Sequence, residues 1–217
     1  MKESIKNLFH KTRQIVMVSV VLMLICGLLF PCLLTGISRL IFPNQANGNL
    51  ITVNGKAVGS ENVGQEFTKD YYMWGRPSAY HYNVYTEDEN GKQYYNDGTE
   101  FAGLGSGSNN YAPSNPALSE RIEADIETFL AKNPDVKRED IPTDLLTASG
   151  SGLDPHISPE SAEIQIPRIA EASGLSEDKI RKIVADHTTG KALGVFGEET
   201  VNVLKVNIEI AQALDLI

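Results

Sequence analysis

The stretch from Gln14 to Ser38, QIVMVSVVLMLICGLLFPCLLTGIS, contains no Asp, Glu, Lys or Arg. Its apolar part, Ile15 to Ile37, is 23 residues long, and at about 1.5 Å of rise per residue a helix of that length crosses the roughly 30 Å hydrocarbon core of a bilayer. A buried helix of a soluble protein rarely runs so far without a charge. The remainder of the 217-residue chain is soluble in character and long enough for one ordinary globular domain. The fold class expected is therefore a single N-terminal transmembrane α-helix followed by an α+β extracytoplasmic domain, divided as a cytoplasmic tail 1–14, a span 15–37 and a soluble domain 44–217.

The flanks set the expected orientation. Lys2, Lys6, Lys11 and Arg13 precede the span with only Glu3 against them, and Arg39 alone follows it closely, which places the N-terminus in the cytoplasm and the domain outside the cell membrane. A cleaved signal peptide shares the basic start, but its apolar core is shorter and ends in small residues, which Leu33-Leu34-Thr35 does not provide. Neither Cys26 nor Cys32 follows the small residue that lipoprotein processing needs, and six positions apart on a helix they cannot bridge each other. The absence of an ionisable group in the span argues against this helix being an ion path. Gly27, Pro31, Thr35 and Gly36 interrupt its Leu/Ile/Val surface, and small residues let a neighbouring helix approach closely in lipid, so Gly27 and Gly36 are candidate contacts for a partner helix. A plain anchor kinked by proline is the alternative.

Beyond Ile41 the chain carries 14 Lys/Arg against 27 Asp/Glu, a balance that repels nucleic acid and anionic lipid headgroups and aids solubility. Asn54-Gly55 between Ile51-Thr52-Val53 and Lys56-Ala57-Val58 predicts a tight hairpin. Glu87 to Asn110 has neither a period of two nor of 3.6 and reads as a long polar excursion, with Tyr94, Tyr95 and Tyr111 available to tack it down. Pro116, after Ser114 or Asn115 as cap, opens a helix with Leu118, Ile122, Ile126, Phe129 and Leu130 on one stripe. A second helix is expected from Ser158-Pro159 to about Gly174, kinked or divided at Pro167, and a third is capped by Ser176 with Ile180, Ile183, Val184 and a core-facing His187 on one side. Glu198 to Leu216 reads as a helix, although Val201 to Asn207 also alternates enough to form a strand.

Searches for chemistry are mostly negative. His187-Thr188-Thr189-Gly190-Lys191 lacks the first glycine and the final Ser/Thr of a phosphate loop, Gly103, Gly105 and Gly107 do not open a helix, and no serine sits in Gly-x-Ser-x-Gly. His81, His156 and His187 are too far apart for a local metal motif. No catalytic and no metal-binding residue is expected, and no cofactor of the chain's own. What stands out is the density of conformationally special residues in Trp74-Gly75-Arg76-Pro77-Ser78-Ala79, in Ala112 to Leu118, and in Thr147 to Pro159. Most of these serve turns. Trp74 and Arg76 are favoured interface anchors, and Asp154 beside His156 can form a fixed polar pair, so these four are candidate partner contacts.

These blocks, with Gly59-Ser60, Gly64-Gln65, Gly107-Ser108-Asn109, Pro113-Ser114-Asn115-Pro116, Ile141-Pro142 with Asp144, Gln165-Ile166-Pro167-Arg168, His187-Thr188 and Val201-Asn202-Val203-Leu204, closely resemble the C subunit (KdpC) family of the bacterial Kdp potassium-transporting P-type ATPase. The likeness runs through nearly the whole chain; the polar insert from Glu87 to Glu100 departs from the shorter version of the family. It implies a non-catalytic subunit working with a channel-like A subunit, a P-type B subunit that hydrolyses ATP, and a small F subunit, in which ATP and potassium belong to the complex. It also implies an assembly role and a catalytic-chaperone role that raises the B subunit's affinity for ATP. No ATP-binding residue is identified, and an outer domain is hard to reconcile with direct contact to a cytoplasmic nucleotide. A membrane-tethered extracytoplasmic enzyme or ligand-binding protein is the alternative reading.

Overall fold

Proline at position 31 decides the shape of the first helix. Its ring cannot donate to the carbonyl of Gly27 and would collide with it in a regular α-helix. The computed structural model, which describes residues 2–217 with side chains from His10 onward, resolves this with one wide turn: helix α1 (Lys2–Leu24) passes through a π turn (Ile25–Leu29), where Phe30 N–H bonds to Ile25 O, into α2 (Phe30–Ile41). His10–Ile41 forms one continuous apolar helix of 32 residues, long enough to cross a membrane. A short turn α3 (Pro43–Ala46) follows. The chain divides into two compact units, Met1–Asn49 and Leu50–Ile217.

The second unit is α+β. Asn54 (φ 50) and Gly55 (φ 78) join strands β1 (Leu50–Val53) and β2 (Lys56–Ser60) in the predicted hairpin, with a bulge between Ile51 and Thr52. The polar excursion is more ordered than its composition suggests. It contains a small antiparallel pair, β3 (Thr86–Glu87) and β4 (Gln93–Tyr94), and buried Tyr95 packs edge-on against Phe101 and over His81. Tyr111 takes no part in that packing, being 37 % exposed.

Helix α4 (Pro116–Lys132) is capped by Asn115, whose side chain accepts from Ala117 N–H, and buries Ile126 and Phe129. The second predicted helix is divided: α5 (Pro159–Glu163) and α6 (Ile166–Ser173) meet at Ile164-Gln165, with Pro167 in the first turn of α6, where its missing N–H costs nothing. Ser158 caps α5, and Asp144 in turn accepts from Ser158 N–H at 2.7 Å and from the Ser161 hydroxyl at 2.6 Å. Gly174 (φ 72) ends α6 in the left-handed conformation. Helix α7 (Glu177–Asp186) starts at the Ser176 cap as expected.

Two expectations need correction. His187 does not face the apolar core; it is half-buried and its Nε2 lies 2.7 Å from Glu209 Oε2, because an imidazole needs a polar partner when partly desolvated. The Glu198–Leu216 segment is not helical throughout. Its start forms strand β7 (Thr200–Asn202), central in a three-stranded antiparallel sheet between β5 (His156–Ile157) and β6 (Thr188–Thr189), and helix α8 (Val203–Ala213) begins only there. Asn202 ends the strand and caps the helix by accepting from Lys205 N–H at 3.0 Å. Val201, Val206 and Ile210 from this segment join Ile157, Ile169 and Ile180 in the core.

Gly152 (φ 65) marks a close approach between two loop backbones, since an added Cβ would lie 2.3 Å from Gly107 O. Gly152→Ala is expected to cost about 2–4 kcal/mol, combining left-handed strain with a backbone clash, read as a lowered urea midpoint of the detergent-solubilised chain. An unchanged midpoint would show that the two loops can separate freely.

Candidate functional site

The chain from Asp70 to Ser78 runs through the second unit without regular structure, so its peptide groups need partners from elsewhere. Side chains supply them. Asn207 of α8 accepts from Met73 N–H at 2.7 Å and donates to Met73 O at 2.8 Å. Gln165 does the same for Trp74, accepting from its N–H at 2.8 Å and donating to its carbonyl at 3.1 Å. Each amide thus reproduces one rung of a β-ladder. Arg168 completes the frame, donating to Asp70 O at 2.6 Å, Tyr72 O at 3.0 Å, Asn133 Oδ1 at 3.1 Å and Gln165 Oε1 at 2.8 Å.

Arg168 is 6 % exposed and, among the described residues, has no carboxylate within ion-pair distance; its guanidinium lies 4.4 Å from the centroid of Trp74. Burial pulls its pKa down to about 10, against the opposing charge of Asp70, so it stays protonated at neutral pH. Phe129 meets Trp74 edge-on. Trp74 Nε1 is buried without a hydrogen-bond partner, a cost of roughly 1–3 kcal/mol.

Held this way, Trp74 and Arg76 form part of the wall of a cleft of about 660 Å³, together with Phe67, Thr68, Tyr82 and Lys132. Arg76 bonds to Thr147 O at 3.2 Å and to Asp154 Oδ2 at 3.3 Å, and Asp154 Oδ1 lies 3.3 Å from His156 Nδ1 and accepts from His156 N–H at 3.0 Å. Three of the four candidate contacts in this unit are therefore one connected polar chain, and the fourth, Trp74, lies two residues from Arg76 on the same cleft wall. Gly27 and Gly36 belong to the other unit, and a Cβ built on either meets nothing within 4 Å.

A strained turn carries the network onward. His81, Tyr82 and Asn83 have φ of 46, 54 and 58°, a left-handed run that non-glycine residues adopt only when held. Ser78 Oγ accepts from Tyr80 and Tyr82 N–H, Asn83 exchanges two hydrogen bonds with Gly105, and the buried Tyr82 hydroxyl donates to Arg76 O at 2.9 Å and Asp154 O at 3.3 Å. Burial, then the Asp154 charge, raises the Tyr82 pKa, so the phenol remains a donor. Glu66, Pro77 and Ser78 line both this cleft and a second one of about 740 Å³ that also includes His81, Arg121 and Asp125. Glu66 holds His81 at 2.7 Å and accepts from Asn96 at 2.6 Å, which fastens the polar insert to the domain.

Among the described residues no three His, Cys, Asp or Glu side chains come together to hold a metal ion. The cleft wall combines the aromatic face of Trp74 with the side chains of Arg76, Lys132 and Glu66. Sequence reasoning placed Trp74, Arg76, Asp154 and His156 but did not assign roles to Gln165, Arg168, Asn133 and Asn207. The available signal was polarity out of place, as in Asn207 amid Val206, Ile208 and Ile210 on a helix whose neighbours are apolar.

The His156 side-chain hydrogen bond is the largest influence on Asp154 and, with the His156 N–H and the charges of His156 and Arg76, outweighs burial to hold its carboxyl below the usual range. An unfolded Asp titrates near about 3.9, so this stabilisation is complete above that pH and is lost as pH falls through the lower folded value. Asp154→Asn is expected to lower the urea midpoint at neutral pH and to flatten the acid limb below about pH 4 relative to the parent chain. Parallel acid limbs in the two proteins would mean that the carboxylate is not held by these partners.

A family model described as K+-transporting ATPase, c chain, matches residues 12–212. A potassium-transporting ATPase KdpC subunit of Clostridium kluyveri is 58 % identical over 200 residues, covering 92 % of each chain. Its counterpart in Clostridioides difficile is 56 % identical over 206 residues (93 % of this chain, 96 % of the relative), and that of Rhodopseudomonas palustris 41 % over 203 residues (94 % and 97 %). Matches of this extent take in the apolar helix, the Trp74–Arg76 wall and the β7–α8 segment together, and the chain belongs to the KdpC family, the c chain of the K+-transporting ATPase.

Proposed function

We propose that this chain is an accessory subunit that assembles and stabilises an ATP-driven potassium uptake complex, anchored in the cell membrane with its N-terminus in the cytoplasm and its folded domain outside. Chemistry and ion selection belong to other subunits: a channel-like A subunit, a P-type B subunit that hydrolyses ATP, and a small F subunit. The observation that carries this reading is the match of residues 12–212 to the K+-transporting ATPase c chain, on a chain that joins one apolar helix to a rigidly built recognition wall. Trp74, Arg76, Asp154 and His156 are the proposed contacts in the domain, and Gly27 and Gly36 those in the helix. A cost such as the unpaired indole N–H of Trp74 supports a role for that ring beyond packing.

The effect on the B subunit's ATP affinity acts, in this reading, through the assembled complex rather than by nucleotide contact from the outer domain. The tethered ligand-binding alternative draws support from the cleft of about 660 Å³ alone.

Orientation is tested with single cysteines at Ser4 and Ser151, in a chain lacking Cys26 and Cys32, labelled by a membrane-impermeant thiol reagent in intact cells. Labelling at position 151 only is expected; labelling at position 4 only would invert the topology and bring the domain to the ATP side. Helix docking is tested with Gly27→Leu and Gly36→Leu. Since a Cβ built at either position meets nothing within 4 Å among the described residues, both variants should keep the domain's unfolding midpoint while recovering several-fold less of the other subunits on copurification. Full recovery with both would reduce the helix to an anchor.

A further inference from the structure

The connection between β6 and β7 is an ordered hairpin whose residues from Gly190 to Glu199 are all exposed. It is closed by Ala192 N–H to Phe196 O at 2.8 Å, Phe196 N–H to Ala192 O at 2.9 Å, and Gly194 N–H to Lys191 O at 2.9 Å. At its end Leu193 is 90 % exposed, Val195 74 % and Phe196 66 %. Three large apolar side chains side by side on one projection lose water contact only if something covers them. Their display is also strained. Leu193 (φ 54) and Gly194 (φ 74) form the left-handed pair of a tight turn, where asparagine is favoured at the first position and leucine is not.

Charge at the base of the hairpin selects the occupant. Lys191 lies 3.9 Å from Glu198, Glu199 has no ion pair among the described residues, and Lys205 on the adjoining helix is paired with Glu61. Two carboxylates beneath the tip, on a domain that is acidic throughout, oppose anionic lipid headgroups and oppose a second copy of the same acidic surface. They complement a surface with basic groups around an apolar hollow.

We propose that the Leu193–Phe196 tip is a plug that seats in an apolar socket with a basic rim on another subunit of the K+-transporting ATPase. This rests on the assembly reading above but names a surface separate from the Trp74–Arg76 cleft. Leu193→Asn is the informative variant, because asparagine suits the left-handed backbone and preserves the turn while removing the apolar group. Phe196→Ser removes a second anchor without touching that position.

The experiment uses the full chain, tagged and coexpressed with the other subunits, and measures the rate at which they leave the immobilised complex in detergent. Both variants are expected to keep the parent's unfolding midpoint and to release the partners roughly tenfold faster or more, as loss of a buried apolar anchor requires. A photoreactive benzophenone amino acid in place of Leu193 should crosslink to a transport subunit. Parent-like release rates for both variants, or crosslinking to lipid or to a second copy, would overturn the plug while leaving the assembly reading standing. If the parent chain itself brings down no transport subunit, the assembly reading falls and the plug with it.

Discussion

The cleft wall depends on one requirement: the irregular segment from Asp70 to Trp74 packs on the core, with Met73 fully buried and its neighbours half-buried, and peptide groups withdrawn from water there need partners. A neighbouring strand would have satisfied them, at the cost of fixing a flat extended surface. Side chains do so instead. Asn207 and Gln165 each clasp the N–H and the carbonyl of one residue, and Arg168 takes the carbonyls of Asp70 and Tyr72. Because these groups come from α6 and α8, the segment is locked to the helical core rather than to a sheet, and Trp74 and Arg76 emerge from it at fixed positions.

Arg168 shows how finely this frame is balanced. A buried guanidinium without a carboxylate partner is costly, and burial lowers its pKa to about 10. Four hydrogen-bond acceptors and the face of Trp74 offset that cost. The ring and the cation therefore pack against each other, and each fixes the position of its partner in the wall. A ring held in one position lowers the ordering cost of whatever binds against it.

In the first unit the same accounting of peptide groups is met by the helix itself. The proline at position 31 removes one donor from the helix, and the π turn Ile25–Leu29 absorbs it, while a Cβ built on Gly27 meets nothing within 4 Å among the described residues. Apolar and small surface that the chain does not cover recurs in the Leu193–Phe196 tip. Both features present to their surroundings what a self-sufficient protein would bury.

The sequence by itself determined the apolar helix, the Asn54-Gly55 hairpin, the helix opening at Pro116, the caps at Ser158 and Ser176, and an interruption of the helix that contains Pro167, because each follows from composition or from the local geometry of a few consecutive residues. It also drew attention to Trp74, Arg76, Asp154 and His156 through their dense proline and glycine surroundings. Only the tertiary structure decided that Val201 would pair in a sheet before the chain turned helical, that His187 would find Glu209, and that Gln165, Arg168 and Asn207 would serve backbone groups up to 134 positions away. The physical reason is range: helical periods and caps are written in neighbouring residues, whereas the partner of a buried amide or guanidinium is chosen by which distant peptide the folded core leaves unsatisfied.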